Sequence, residues 1–168
     1  IKDAEEQNIL LEAIFVMETV AQSSLHVDRF MAPTPLRALV DIRGNDLTHE
    51  HDPAWEQTEL EDGSLNRFLE NPGFTRDIFA AMLDGAEAIA LAESNKMRQS
   101  AKLEMKAALG GELQRLVDLR KLNENVRKEE VDLAKAEIKG IVEAIDAARL
   151  RLDSVRLIVE GAVEALKV

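Results

Sequence analysis

Hydrophobic residues recur along this chain with two different periods, and the change from one to the other divides it. From Ile9 to Val20 the run ILLEAIFVMETV carries Leu11, Ala13, Phe15 and Met17 on one parity. Leu10, Ile14 and Val16 share the other with Glu12 and Glu18, so the pattern predicts a strand with one well-buried face. Leu25 to Phe30 and Leu36 to Ile42 read as two further strands. Ala32-Pro33-Thr34-Pro35 separates them, since each proline removes a donor and pushes its predecessor into extended geometry. Arg43-Gly44-Asn45-Asp46 has the residue types of a hairpin turn.

Thr48 to Gly63 is polar and reads as a loop with one helical turn around Trp55 to Leu60. Helical spacing begins at Thr75, an N-cap residue with Asp77 in the first turn, and continues to about Lys121. Its apolar positions include Ile78, Met82, Ala86, Ile89, Met97, Ala101, Met105, Leu109, Leu113 and Leu116. Gly110-Gly111 costs this helix about 2 kcal/mol relative to alanines and marks a place for a kink. After Leu122 to Val126, Asn125 is placed to cap a second helix with Glu129 and Glu130 in its first turn.

From Val131 an apolar seam recurs every third or fourth residue: Val131, Ala134, Ile138, Ile141, Ile145, Ala148, Leu152, Val155, Val159, then Ala162 and Leu166. That seam predicts helix to about Glu160, with the β-branched stretch Val155 to Val159 leaving a returning strand as the alternative. With so few residues in the turn, the two helices fold antiparallel, and Ile138, Ile141 and Ile145 face Met105, Leu109 and Leu113 or their neighbours. The expected class is α+β: a small antiparallel β-containing part over residues 1–63, followed by a long antiparallel helical hairpin over residues 64–168.

The chain has 168 residues, 46% of them hydrophobic, which is enough for one core. Its 32 acidic and 21 basic residues give a formal charge of −11, which repels a phosphate backbone and argues against nucleic acid as a partner. There is no cysteine, so disulfides and thiolate metal sites are excluded, in keeping with a reducing cytoplasm. No signal peptide or long apolar run points to a membrane, and Ile1 in place of a methionine fits a piece of a longer chain. None of the eight glycines falls in a GxxxxGK(S/T) frame, so no loop is built to cradle a triphosphate.

Candidate chemistry is sparse. His49-Glu50-His51-Asp52 is the one cluster of ligand-type side chains; on a strand, His49 and His51 share a face, with Asp52 or Glu56 as a third ligand. His26 stands in another segment, so neither a metal site nor a metal-dependent hydrolase is expected. The carboxylate pairs Glu5-Glu6, Glu59-Glu61 and Glu129-Glu130 lie in polar stretches, where nothing separates their pKa values into acid and base. No catalytic or cofactor-binding residue is assigned. Arg149, Arg151 and Arg156, interleaved with Asp146 and Asp153, read as an ion-pair lattice on a helix rather than a grip on a partner.

The order of residues is more specific than their spacing. The turn, Leu119-Arg120 with Asn123 and then Asn125-Val126-Arg127, and the ending Arg151-Leu152-Asp153-Ser154-Val155-Arg156-Leu157-Ile158-Val159 resemble the C-terminal region of the RapA family. These are bacterial RNA polymerase-associated ATPases of the helicase-like remodelling superfamily. Glu12 to Glu18 (EAIFVME), Arg29-Phe30 and Thr34-Pro35-Leu36-Arg37 also match the family's pattern. Thr48 to Gly63 matches nothing in that pattern, and Glu160 to Val168 runs past its usual ending.

The resemblance implies a non-catalytic C-terminal domain of a cytoplasmic bacterial protein that recycles RNA polymerase. ATP and Mg would then be handled elsewhere in the parent. Its partners would be the rest of the parent ATPase and RNA polymerase, with no nucleic acid or membrane. The rival reading, from a different class, is a free-standing acidic hairpin that dimerises through its seam.

Overall fold

A computed structural model describes residues 8–54 and 60–160. Its order is β1 (Asn8–Glu18), two short 3-10 turns (Ser23–Leu25 and Val27–Arg29) and β2 (Thr34–Asp41). Then come α1 (Leu65–Leu69), α2 (Arg76–Leu122), α3 (Lys128–Asp146) and β3 (Arg149–Glu160). The strands form one antiparallel sheet in the order β2-β1-β3. The class is α+β as the two periods predict, with a helical hairpin lying in sequence between the second strand and the third.

The strongest apolar alternation takes the centre of the sheet. Ile9, Leu11, Ala13, Phe15 and Met17 are all buried on one face of β1. On that side α2 lies against β2: a Cβ on Gly85 would meet Val40 Cγ1 at 4.0 Å, and Met82 and Ala86 beside it are buried. The other face carries a smaller cluster, Leu10, Leu39 and Ile158, covered by Leu47 and Leu60. Pro35 sits on the edge strand β2, where a missing amide donor breaks no ladder on the outer side.

The predicted reversal at Arg43 to Asp46 forms. Asp41 Oδ1 accepts the amides of Arg43 at 2.9 Å and Asn45 at 2.8 Å, Gly44 takes φ 84°, and Val40 bridges Asp46 antiparallel. Only a residue without a Cβ adopts that φ without strain. The helical turn expected at Trp55 to Leu60 lies largely outside the described residues.

Leu25 to Phe30 is not a strand. Two 3-10 turns meet at His26, whose left-handed backbone (φ 47°, ψ 46°) ends any extended run. The apolar anchors there, Val27 and Met31, are both buried and four apart, and the Met31 amide donates to the Val27 carbonyl at 2.9 Å. Those short-range bonds, with the Phe30 amide also donating to the Val27 carbonyl at 3.0 Å, are those of a turn and not of a strand ladder.

Helix α2 starts as expected, with Thr75 Oγ1 accepting the Ile78 amide at 3.3 Å, and stays helical through Gly110-Gly111. Asn125 does not cap α3. The N-cap is Arg127, with no side-chain cap bond, while Asn123 Oδ1 accepts the Asn125 amide at 2.9 Å and shapes the turn. Asn125 comes two residues too early because the turn uses Asn123 as its acceptor.

The larger correction is at the other end of α3, which stops at Asp146; β3 replaces the helix expected to run to Glu160. Two cations hold this helix end. Lys102 pairs with Asp146, and Arg98 donates to the Ala148 carbonyl, placing positive charge where the terminal carbonyls are unsatisfied. Past that point β1 needs a second neighbour to satisfy its backbone, and a chain rich in β-branched and alternating residues supplies one. The seam positions Leu152, Val155 and Val159 therefore fall on a strand, and their 3.5-residue spacing is coincidental.

The described chain falls into two compact units. One comprises the described parts of Ile1–Phe15, Leu36–Leu91 and Leu152–Val168, and holds the Leu10 cluster. The other comprises Val16–Pro35 and Ala92–Arg151, and holds the hairpin. Within the second unit the Lys102 and Arg98 contacts set an antiparallel register that places Ile141 level with Met105 and Ile145 level with Ala101. Met105 and Leu109 of α2 and Ile141 and Ile145 of α3 are buried, whereas Leu113 and Ile138 are half-buried. The 3-10 turns pack on α3: Arg29 pairs with Glu137 at 2.7 Å, and a Cβ on Gly140 would meet Leu25 Cδ1 at 3.2 Å. Any larger residue at 140 would require the Leu25 side chain to shift.

Candidate functional site

One glutamate interrupts the apolar run of β1, and the site is built around it. Glu12 is 5% exposed and shares the half-covered face of the sheet with Leu10 and Ile14. A buried carboxylate needs cationic partners, since desolvating an unpaired charge is far more costly than desolvating a neutral group. Both neighbouring strands supply one. Arg37 Nε of β2 donates to Glu12 Oε2 at 2.8 Å, and Arg156 Nη1 of β3 stands 4.0 Å from Oε1.

Arg37 does more than neutralise. Its Nη1 also donates to the carbonyls of Thr48, at 3.2 Å, and His51, at 3.0 Å, which holds the segment after the reversal against the sheet. Thr48 Oγ1 in turn accepts the Leu39 amide at 3.0 Å. These groups border a cavity of about 670 Å³ lined by Glu12, Ile14, Arg37, Pro53, Ser154, Val155 and Arg156. Among the described residues, Ser154 carries its only hydroxyl, and no histidine lines it. The chemistry these groups offer is ionic recognition by two guanidiniums and one carboxylate.

A second pair of family-pattern charges is matched across the strands in the same way. Glu18, at the end of β1, faces Arg151 at 3.6 Å. In place of the ion-pair lattice expected along a helix, Arg151 and Arg156 make cross-strand pairs with Glu18 and Glu12, because both arginines lie on β3, while Asp146 pairs with Lys102.

Among the described residues the histidine cluster is not assembled into a site. His49 is exposed, His51 contributes its backbone carbonyl to Arg37, and Asp52 Oδ1 accepts the Ala54 amide at 2.8 Å. Among the described residues no group of three ligand-type side chains could hold a metal. Glu56 and the pair Glu5-Glu6 lie outside them, as does Glu59.

Two carboxylates near the reversal have shifted acidities. Desolvation pushes Asp41 up, but hydrogen bonds from the Asn45 side chain and backbone and the Arg43 amide, with the Arg43 charge, outweigh it and hold the group below 3.8. At Asp46 desolvation likewise raises, and the bonds to Thr48 and the charge of His49 outweigh it. A folded pKa below the unfolded one contributes stability that is present above 3.8 and lost as pH falls through the lowered value. Asp41→Asn should therefore lose less stability than the wild type as pH falls through the ordinary carboxylate range and below it in urea titrations, and parallel losses would refute the assignment.

Sequence reasoning placed Glu12, Arg37 and Arg156 in patterned segments but did not bring them together. A signal was available: a charged residue at the middle of a strand that is otherwise apolar requires partners on both sides.

The fold and its charge pairs define a small α+β domain in which a helical hairpin separates the second and third strands of an antiparallel sheet. The chain belongs to the family described as RNA polymerase recycling family C-terminal, whose profile matches residues 1–160. It is 34% identical over 90% of its length to the RNA polymerase-associated protein RapA of Proteus mirabilis, and 35% identical over 91% to that of Stutzerimonas stutzeri. The RapA of Vibrio campbellii is 32% identical over 90%. The chain spans only 16% of the length of each of these relatives. Among the described residues, no helix is long and apolar enough to cross a membrane.

Proposed function

We propose that this chain is a non-catalytic C-terminal domain of an ATP-driven, RNA polymerase-associated protein acting in the bacterial cytoplasm. ATP and Mg are handled elsewhere in the parent, and the domain's partners are the rest of the parent chain and RNA polymerase. The observation that carries this reading is the family match over residues 1–160. It is supported by the use of the patterned charges of the sheet: Glu12, Arg37 and Arg156 serve one another, as do Glu18 and Arg151, so their work is structural.

Two assays test the reading. The purified chain is expected to turn over no ATP beyond a heat-inactivated control. It should also give no gel shift with duplex DNA at micromolar concentration and physiological salt, because a net charge of −11 opposes the contact. ATP turnover above the control would defeat the non-catalytic reading, and a shift that weakens steeply with salt would defeat the charge argument. The polymerase contact is measured directly, by binding of the chain to immobilised core RNA polymerase.

A further inference from the structure

The third strand of the sheet is buried far less than the other two. β1 buries every residue from Ile9 to Ala13, with Phe15 and Met17 beyond, and β2 buries Leu36, Ala38, Leu39 and Val40. In β3 the five residues from Leu152 to Arg156 are all exposed. Successive side chains of a strand point to opposite faces, so neither face of β3 is covered over that stretch. Ile158, at 3% exposure, is the one buried residue of β3, set against Leu10 and Leu39.

The polar contacts of β3 are loose along its length and firm at its root. Arg156 Nη1 stands 4.0 Å from Glu12 Oε1 with its side chain more than half accessible, and Glu160 accepts from Asn8 in an exposed hydrogen bond of 2.8 Å. When β3 leaves, Glu12 keeps Arg37 Nε at 2.8 Å, so no buried charge is stranded, and Leu10 keeps Leu39, Leu47 and Leu60. At the root, Arg98 donates to the Ala148 carbonyl and Arg151 faces Glu18 at 3.6 Å. A segment with few buried apolar contacts belongs to the low-stability end of a fold, where elements open without their neighbours.

We propose that β3 from Leu152 to Glu160 is a strap that detaches from β1 as one unit while β1 and β2 stay paired and the helices stay folded. The open state is a two-stranded sheet in which one edge of β1 carries an unpaired ladder of amides and carbonyls. Detachment is a property of the domain itself and does not depend on the polymerase contact.

Native-state hydrogen exchange of the full chain, followed by NMR across a series of low urea concentrations, tests the strap. The slowest amide between Ser154 and Ile158 should exchange about a hundredfold or more faster than those of Ala38 and Val40. Its dependence on urea should be shallower, and the rates should merge only near the unfolding transition. Asn8→Cys combined with Glu160→Cys, in a chain that has no other cysteine, places a disulfide across the free end of the strap. Oxidation should slow the β3 amide to the rate of Ala38 and Val40, and reduction should restore the difference. Equal rates with equal urea dependence in the wild type would overturn the strap, because β3 would then open only with the whole domain. So would an oxidised variant whose β3 amide stays fast, or a wild-type β3 that exchanges like an unfolded peptide and therefore never closes.

Discussion

Replacing Arg37 by alanine should destabilise the fold by about 3–5 kcal/mol, because it leaves the Glu12 carboxylate buried without its nearest cation. The Glu12 side chain is only 7% accessible and that of Arg37 13%, so solvent cannot take over the lost partner. Arg156, at 4.0 Å and more than half accessible, is too distant and too hydrated to substitute. The carbonyls of Thr48 and His51 lose their donor in the same step. Replacing both residues by apolar ones, Glu12→Leu with Arg37→Met, should cost much less than Arg37→Ala alone, since no charge is then stranded. Urea denaturation of the two variants and the wild type decides the matter: a loss below about 1 kcal/mol for Arg37→Ala would show that water reaches Glu12.

Truncating Ile141 to alanine should cost about 2–5 kcal/mol through lost burial and the cavity left behind. Ile141 is fully buried, one turn from the equally buried Ile145 on the same helix. Lys139→Ala is the internal control. Its side chain is 79% accessible and its ion pair with Glu143 is a 4.0 Å surface contact, so the change should stay below about 0.5 kcal/mol. Thermal or urea melts that find the two equally mild would mean that the seam of α3 is not packed in solution.

Legibility followed the strength of the local signal. The β1 pattern was readable because five alternate positions are apolar and all of them are buried. The hairpin was readable because α2 and the first part of α3 bury residues at helical spacing, with Thr75 marking the start. What failed were places where a residue's partner is remote in sequence. The end of α3 depends on Lys102 and Arg98, more than forty residues earlier, and β3 exists because β1 has an open side. A periodicity analysis of Arg149 to Glu160 sees neither. The same reason hid the cluster around Glu12, whose partners come from both neighbouring strands.

The position of the hairpin between β2 and β3 also bears on how the chain folds. Asn8 and Glu160, joined by a 2.8 Å hydrogen bond, are 152 residues apart, so pairing β1 with β3 closes one of the longest loops the chain can make. Loops of that span delay folding, because their closure entropy is lost before the contacts form. The helices between them form from local contacts and return β3 toward its partner strand, which shortens the search. Closure entropy grows only logarithmically, by about 0.6 kcal/mol per doubling of loop length. The hairpin could therefore gain or lose whole turns at its tip with little penalty to the sheet, so its length is free to be set by whatever the tip must reach.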